Sequence, residues 1–162
     1  MTENLVEVRD LKVHFPITRG VVFDRVVGHV KAVDGVDLAI PRGKTYGLVG
    51  ESGCGKSTLG RAILRLTEPT SGEVFFDGAE VTGMRARPLR ALRRRMQMIF
   101  QDPMSSLDPR QNVESILTEG LQTHGIGTSR DARRRIIGET LDAVGLPRWA
   151  RARYPHKFSG GQ

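Results

Sequence analysis

The sequence predicts an α/β fold with an antiparallel β-subdomain first, an α/β core next and the start of an α-helical subdomain last. Three observations support this class. Short alternating apolar runs fill the first third of the chain. The compact apolar run Thr45–Val49 then leads through a glycine-rich turn into helical spacing. Beyond Asp102 the apolar residues recur at helical intervals, so we place the domains at 1–102 and 103–162.

The antiparallel part is predicted from short β-like runs separated by Gly, Pro and Asp, which favour turns. The runs are Leu5–Val8, Leu11–Phe15, Val21–Phe23, Val26–Val33 and Val36–Ile40. The pair Asp34-Gly35 separates the last two and predicts a turn.

The core is predicted as a strand, a glycine-rich turn and a helix, followed by further strands. Lys56–Leu66 carries apolar residues at helical spacing, and Glu73–Phe76 is a strand closed by the turn Asp77-Gly78. Leu89–Arg95 predicts a short basic helix, and Met96–Phe100 predicts a buried strand.

The helical part contains two amphipathic segments. The first is Asn112–His124, and the second is Arg130–Val144, with Ile136, Ile137, Leu141 and Val144 on one face. Ser129 is the expected N-cap of the second helix, and Gly145 is its expected stop.

Composition limits the class of protein without naming its function. The chain has 162 residues, a net charge of +7 and one cysteine, Cys54, so no disulfide can form within it. No secretory signal is visible at the N-terminus. No apolar stretch approaches the roughly 20 residues needed to cross a bilayer. We therefore expect the chain to remain in the cytosol.

A phosphate-binding loop is predicted where the sequence matches G-x-x-x-x-G-K-[ST]. Its residues are Gly50, Glu51, Ser52, Gly53, Cys54, Gly55, Lys56, Ser57 and Thr58. Glycines let backbone N–H groups converge on a polyphosphate, and the following helix presents its positive N-terminus. Lys56 would bridge the β- and γ-phosphates, and Ser57 would supply a hydroxyl to Mg²⁺. A chance glycine-rich turn is the alternative, and Cys54 is interpreted as a small filler residue.

Three segments together resemble the ABC-transporter ATPases. The chain ends in Ser159-Gly160-Gly161-Gln162, similar to the core of that family's signature motif, with Phe158 where leucine is usual. Ile99–Pro103 resembles the Q-loop. Three stretches resemble the second ATPase of oligopeptide and dipeptide importers: Leu48–Arg61, Phe100–Arg110 and Val30–Val36. The resemblance covers essentially the whole chain.

This resemblance implies a P-loop NTPase (RecA-like) core that binds ATP and Mg²⁺. Lys56 and Gln101 would be catalytic, and Gln101 would reach the Mg²⁺ and the attacking water. Phe15 would stack on adenine, although it lies in an alternating strand where a core aromatic is the alternative, and Phe23 is a rival. Ser159, Gly160, Gly161 and Gln162 would bind nucleotide, with Ser159 and Gly161 contacting the ATP of the opposite subunit.

The implied partners are a second ATPase subunit in a head-to-tail dimer and a transmembrane permease. The helical part around Met104–Arg110 would dock on the permease, so the subunit would lie peripherally on the inner face of the cell membrane. The transported solute is left open among dipeptides, oligopeptides and nickel. Whether the dimer is a homodimer or a heterodimer also stays open.

Parts that the family carries after the signature were not found in this sequence. They are a strand ending in Asp-Glu and a later switch histidine. We therefore interpret the chain as truncated, with the C-terminal half of the fold missing, and expect background hydrolysis at best. Two alternatives remain: a nucleotide-binding fragment that does not hydrolyse ATP, and a soluble non-transport ABC ATPase.

Two basic segments make nucleic acid a candidate partner. Six arginines crowd residues 85–95, and four more lie on the polar face of the Arg130–Val144 helix. No aromatic residues interleave with them and no nucleic-acid-reading motif is present. We therefore interpret both as solvated faces, with contact to an acidic partner or a lipid surface as the alternative for residues 85–95, and expect no nucleic-acid partner.

Overall fold

A long antiparallel hairpin dominates the N-terminal part of the computed structural model, which describes residues 3–19, 25–100, 102 and 106–159. Strand β1 spans Asn4–Arg19 and strand β2 spans Arg25–Pro41. Their register runs from Asn4 opposite Pro41 to Arg19 opposite Arg25. The predicted antiparallel pairing at the N-terminus is therefore confirmed.

The separate runs predicted from the sequence are continuous strands in the structure. Asp10 and Gly35 have positive φ angles of 42° and 76°, and the register shifts on both sides of Leu11. The Asp10 backbone N–H donates to Asp37 Oδ1 at 2.9 Å. Both residues lie at bulges of the paired strands, so the turn predicted at Asp34-Gly35 is wrong. The predicted run Val21–Phe23 lies outside the described residues.

Two further strands complete a four-stranded sheet in the order β2-β1-β3-β4, with every neighbouring pair antiparallel. Strand β3 spans Ser71–Phe76 and strand β4 spans Ala79–Glu80. The two residues between them, Asp77 and Gly78, both have positive φ, 53° and 79°. That is the pattern of a tight hairpin turn, so the predicted turn is confirmed.

Helix α1, Lys56–Ile63, packs Leu59 and Ala62 into the core beside the sheet. The buried core around the sheet contains ten apolar side chains of the described residues: Val8, Leu11, Val13, Val33, Leu59, Ala62, Val74, Phe76, Val81 and Leu89. The helix ends before the predicted Leu66 because Arg65 adopts φ 51°. Arg65 N–H donates to Ala62 O and Leu66 N–H to Arg61 O, which closes the last turn and leaves Leu66 exposed.

Two predicted strands are wrong. Thr45–Val49 and Met96–Phe100 form no regular structure, and the side chains of Val49 and Ile99 are 90% and 92% exposed. Within the described part of the chain no strand pairs with either segment. Because a strand needs a neighbour for its backbone hydrogen bonds, an apolar run alone is not sufficient to form one.

Helix α2, Ala86–Leu92, begins three residues before the predicted Leu89–Arg95 helix. Leu89 is buried in the same core as the sheet. The chain divides into two compact units, residues 1–97 and 98–162, and α2 belongs to the first. The domain boundary expected at residue 102 stays a prediction.

The second unit contains helix α3, Val113–Thr123, and helix α4, Arg130–Ala143. Asn112 caps α3 through its side-chain oxygen, which accepts from Ser115 N–H at 2.8 Å. Ser129 caps α4, because its Oγ accepts from Ala132 N–H at 3.1 Å, so that prediction is confirmed.

The C-terminal end of α4 differs partly from the prediction. Ile137 and Leu141 are buried as expected, and Gly145 has a φ of 73° just after the helix. Val144 is 65% exposed because it follows the last helical residue, so its assignment to the packed face is wrong. Two short 3-10 helices, Arg148–Ala152 and Pro155–Lys157, follow.

One ion pair joins the two long helices of this unit. Arg134 Nε lies 2.8 Å from Glu114 Oε1, and Arg151 lies 3.7 Å from the other oxygen. The hydrogen bond from Arg134 holds the pKa of Glu114 below its ordinary value. Part of the polar face of α4 therefore contacts α3 and is not simply solvated.

Candidate functional site

The loop before α1 is shaped by glycines in the left-handed region. Gly53 and Gly55 have φ angles of 83° and 93°, and Gly55 is the N-cap of α1. A Cβ atom added at Gly55 would lie 2.2 Å from the carbonyl oxygen of Ala32 in β2. Only glycine fits this contact, so the sheet backs the loop directly at the start of the helix.

The other end of the loop closes on Cys54. A Cβ atom at Gly50 would lie 2.7 Å from Cys54 Sγ, and Cys54 N–H donates to Glu51 O at 3.4 Å. The chain therefore curls so that Gly50 and Cys54 touch. Glu51, Ser52, Gly53 and Cys54 are all exposed.

Lys56 turns back over the loop that precedes it. Its Nζ donates to Gly50 O at 2.8 Å and to Glu51 O at 2.5 Å, and lies 3.4 Å from Cys54 Sγ. The two carbonyl oxygens carry no formal charge. The ammonium therefore sits over the curl of the loop, where an anion would be a stronger partner than a carbonyl oxygen.

The N-terminus of α1 opens at the same place. The first N–H groups of a helix have no intrahelical partner, and the first turn of α1 contains no acidic residue. Ser57 is exposed and Thr58 is half-buried in that first turn. Backbone N–H groups, the positive end of the helix dipole and the Lys56 ammonium thus belong to one short segment, an arrangement suited to an anion.

The other predicted site residues are described only in part. Phe15 lies in β1 opposite Val30, and its side chain is 44% exposed, so it is not part of the buried core. Ser159 is exposed in the second unit. Gln101, Gly160, Gly161 and Gln162, like the rival Phe23, lie outside the described residues. The structure therefore brings together the predicted residues Gly50–Thr58 and leaves the roles of the others as predictions.

Two contacts were not found from the sequence, one at the loop and one at the turn between β3 and β4. One is Ala32, whose backbone carbonyl packs on Gly55. The other is Asp77, interpreted only as a turn residue, which accepts from Arg95 Nη2 at 2.6 Å and also pairs with Arg42. These arginines, Arg95 first, hold the pKa of Asp77 below its ordinary value. No local pattern marks either contact, since the partners lie far apart in sequence.

Within the described ranges no three His, Cys, Asp or Glu side chains are placed to hold a metal ion. No helix of those ranges is long and apolar enough to cross a bilayer.

Comparison with known families agrees with the geometry of the loop. A family model described as ABC transporter matches residues 33–162, which include the loop and α1. The chain belongs to the ABC transporter family. The predicted family resemblance is thereby confirmed.

The most informative relatives are two proteins of Bacillus subtilis (strain 168). The chain is 50% identical over 163 residues to the oligopeptide transport ATP-binding protein OppF, covering 100% of this chain and 51% of that protein. It is 48% identical over 161 residues to the oligopeptide transport ATP-binding protein AppF, covering 99% of this chain and 48% of that protein. The chain thus spans about half the length of these curated relatives.

Solved structures support the fold class. The dimeric post-hydrolysis state of the ATP-binding cassette MJ0796 bound to ADP and Pi matches with a TM-score of 0.76 and 25% identity, covering 97% of this chain and 64% of that one. CbiO1 of Clostridium perfringens matches with a TM-score of 0.72 at 22% identity, covering 98% and 57%. The predicted α/β P-loop NTPase fold with an antiparallel β-part is therefore confirmed.

Proposed function

We propose that this chain binds Mg·ATP at the loop Gly50–Thr58 and belongs to an ATP-hydrolysing subunit that powers import of oligopeptides or dipeptides. The observation that carries the proposal is the conformation of the loop. Left-handed Gly53 and Gly55 turn the backbone into α1, and the Lys56 ammonium lies against the carbonyls of Gly50 and Glu51. The names of OppF and AppF support the assignment to peptide transport.

A triphosphate fits the chemistry of these residues. The N–H groups at the start of α1 would donate to phosphate oxygens, and Lys56 would exchange its carbonyl acceptors for the β- and γ-phosphates. The exposed hydroxyl of Ser57 would ligate Mg²⁺, which neutralises charge on the phosphates when bound. The exposed face of Phe15 would receive the adenine ring.

The remaining roles complete the site with other parts of the assembly. Gln101 would orient the attacking water, and Ser159 and Gly161 would donate to the ATP of a second ATPase subunit in a head-to-tail dimer. The dimeric neighbour structure supports this arrangement. The segment Met104–Arg110 would dock on a transmembrane permease, placing the subunit peripherally on the inner face of the cell membrane.

A binding experiment on the chain tests the core of this proposal. Calorimetry with Mg·ATP should show that Lys56→Ala lowers affinity about 10-fold to 100-fold, because hydrogen bonds to a charged group are worth about 1.5–3 kcal/mol. The matched control is Lys44→Ala, which removes the same charge at an exposed position twelve residues earlier. It should bind as the unchanged chain does. Equal affinity of the two variants would overturn the assignment of the site.

Nucleotide binding without hydrolysis is the second candidate for this chain. The rate of ATP hydrolysis, measured on the same protein preparations, distinguishes this candidate from a hydrolysing subunit. Binding that depends on Lys56 without turnover above background would support a binding role for the chain alone, whereas turnover that Lys56→Ala abolishes would support hydrolysis.

A further inference from the structure

A cluster of arginines surrounds α2 without any acidic residue among them. The sequence from Val81 to Gln101 contains six arginines and no Asp or Glu. The six are Arg85, Arg87, Arg90, Arg93, Arg94 and Arg95, and all of them are exposed. The site proposed for ATP uses none of them.

Two of the six arginines hold the segment in place. Arg93 Nη2 donates to Arg65 O at 3.3 Å. Arg95 pairs with Asp77 and lies 5.1 Å over the ring of Phe76. Together with buried Leu89, these contacts fix the orientation of α2 on the sheet.

Three others point away from the core and form what we name the arginine face, Arg87, Arg90 and Arg94. Their spacing of three and four residues places them on one side of a helical segment, opposite Leu89. The helical path continues past α2, since Arg94 N–H donates to Ala91 O at 3.4 Å. Within the described ranges none of the three forms an ion pair. Three neighbouring guanidinium groups repel one another unless an anion lies between them.

We propose that the arginine face docks on the phosphate groups of an anionic phospholipid surface. A guanidinium binds phosphate oxygens with paired N–H donors, so a row of three suits a surface of phosphates. No Phe, Tyr or Trp occurs between Val81 and Met98, so bases would find no ring to stack on. The membrane placement argued above favours lipid over an acidic protein, and it is the only part of that proposal on which this inference rests.

Vesicle co-sedimentation of the chain tests the proposal. Vesicles of equal parts phosphatidylcholine and phosphatidylglycerol should bind the chain, and vesicles of phosphatidylcholine alone should not. The triple variant R87Q/R90Q/R94Q should bind the anionic vesicles about 100-fold more weakly, since each basic residue near such a surface contributes about fivefold. About 1 M salt should release the unchanged chain, because screening then acts within about 3 Å.

The matched control removes three exposed arginines from the second unit, R130Q/R135Q/R153Q. It has the same net charge as the first variant and should keep most of the binding, as should R87K/R90K/R94K, which retains the charges. Equal losses in the two glutamine variants would overturn the proposal, since net charge alone would then explain the binding. Binding to polyglutamate or duplex DNA in place of anionic vesicles would also overturn it.

Loss of lipid binding by the arginine face can be distinguished from loss of ATP binding at the loop. Lys56→Ala should bind anionic vesicles as the unchanged chain does, and R87Q/R90Q/R94Q should bind Mg·ATP with unchanged affinity. Circular dichroism and thermal midpoints of each variant show whether it is folded.

Discussion

The segments β1 and Thr45–Val49 differ in structure although both read as apolar strands. In β1, Leu11 and Val13 are 0% and 1% exposed, and the strand has partners on both sides. In Thr45–Val49, Val49 is 90% exposed and no described strand lies alongside. The difference shows that a neighbouring strand, as much as the apolar pattern, decides whether a run becomes a strand and stabilises the fold.

The largest expected effect comes from removing a core side chain of the paired region. Leu11→Ala should lower the free energy of unfolding by about 2–5 kcal/mol, because it leaves a cavity where Leu11 is fully buried. Val49→Ala, in the unpaired region, should change it by no more than about 0.5 kcal/mol. Urea unfolding monitored by circular dichroism measures both. Comparable losses would show that Thr45–Val49 is packed after all.

Replacing Gly55 tests the contact between the sheet and the loop. Gly55→Ala places a Cβ atom against Ala32 O and imposes left-handed strain, which costs about 1–2 kcal/mol for an L residue. Displacing the carbonyl should add on the order of 1–3 kcal/mol. We also expect weaker binding of Mg·ATP, because the loop must shift to relieve the clash.

Gly43→Ala is the matched control, since Gly43 has φ +71° but nothing lies within 4 Å of its added Cβ. Gly43→Ala should lower the free energy of unfolding only by the cost of left-handed strain and leave Mg·ATP affinity unchanged. If both alanine variants lost equal stability, the contact with Ala32 would contribute nothing.

Much of the fold was predictable because its signals are local. The turn at Asp77-Gly78, the cap at Ser129 and the helix after the phosphate loop each depend on a few adjacent residues. The strands expected at Thr45–Val49 and Met96–Phe100 failed because pairing depends on a distant partner that an apolar run cannot specify. The turn expected at Asp34-Gly35 was wrong for a related reason, since the same residue types produce a bulge when the strand continues to pair.

The candidate site and the β3–β4 turn show the same contrast. Features that depend on adjacent residues were predictable, and contacts with distant residues were not. The nine residues of Gly50–Thr58 are predicted from their spacing, because glycine, lysine and hydroxyl groups at fixed offsets suit a phosphate, and the structure brings them together in one curled loop. Ala32 was missed because its contribution is a backbone carbonyl, and any residue type supplies one. The ion pairs of Asp77 were missed because their partners are 18 and 35 residues away.

The smallest expected effect concerns Asp77, which connects the paired sheet to the segment leading into Met96–Phe100. Arg95 and Arg42 depress the pKa of Asp77 in the folded state. The ion pairs therefore contribute stability above the unfolded pKa of Asp77 and lose it as the pH falls through the lower folded value.

The variant Asp77→Asn tests this effect. It keeps the left-handed turn, since asparagine tolerates φ > 0, and removes the titration. The unchanged chain should be more stable than Asp77→Asn at neutral pH, and the difference should shrink as the pH drops below about 4. Urea unfolding of both proteins across this range measures it, and a difference that stayed constant with pH would mean that the carboxylate charge is not what ties the turn to Arg95.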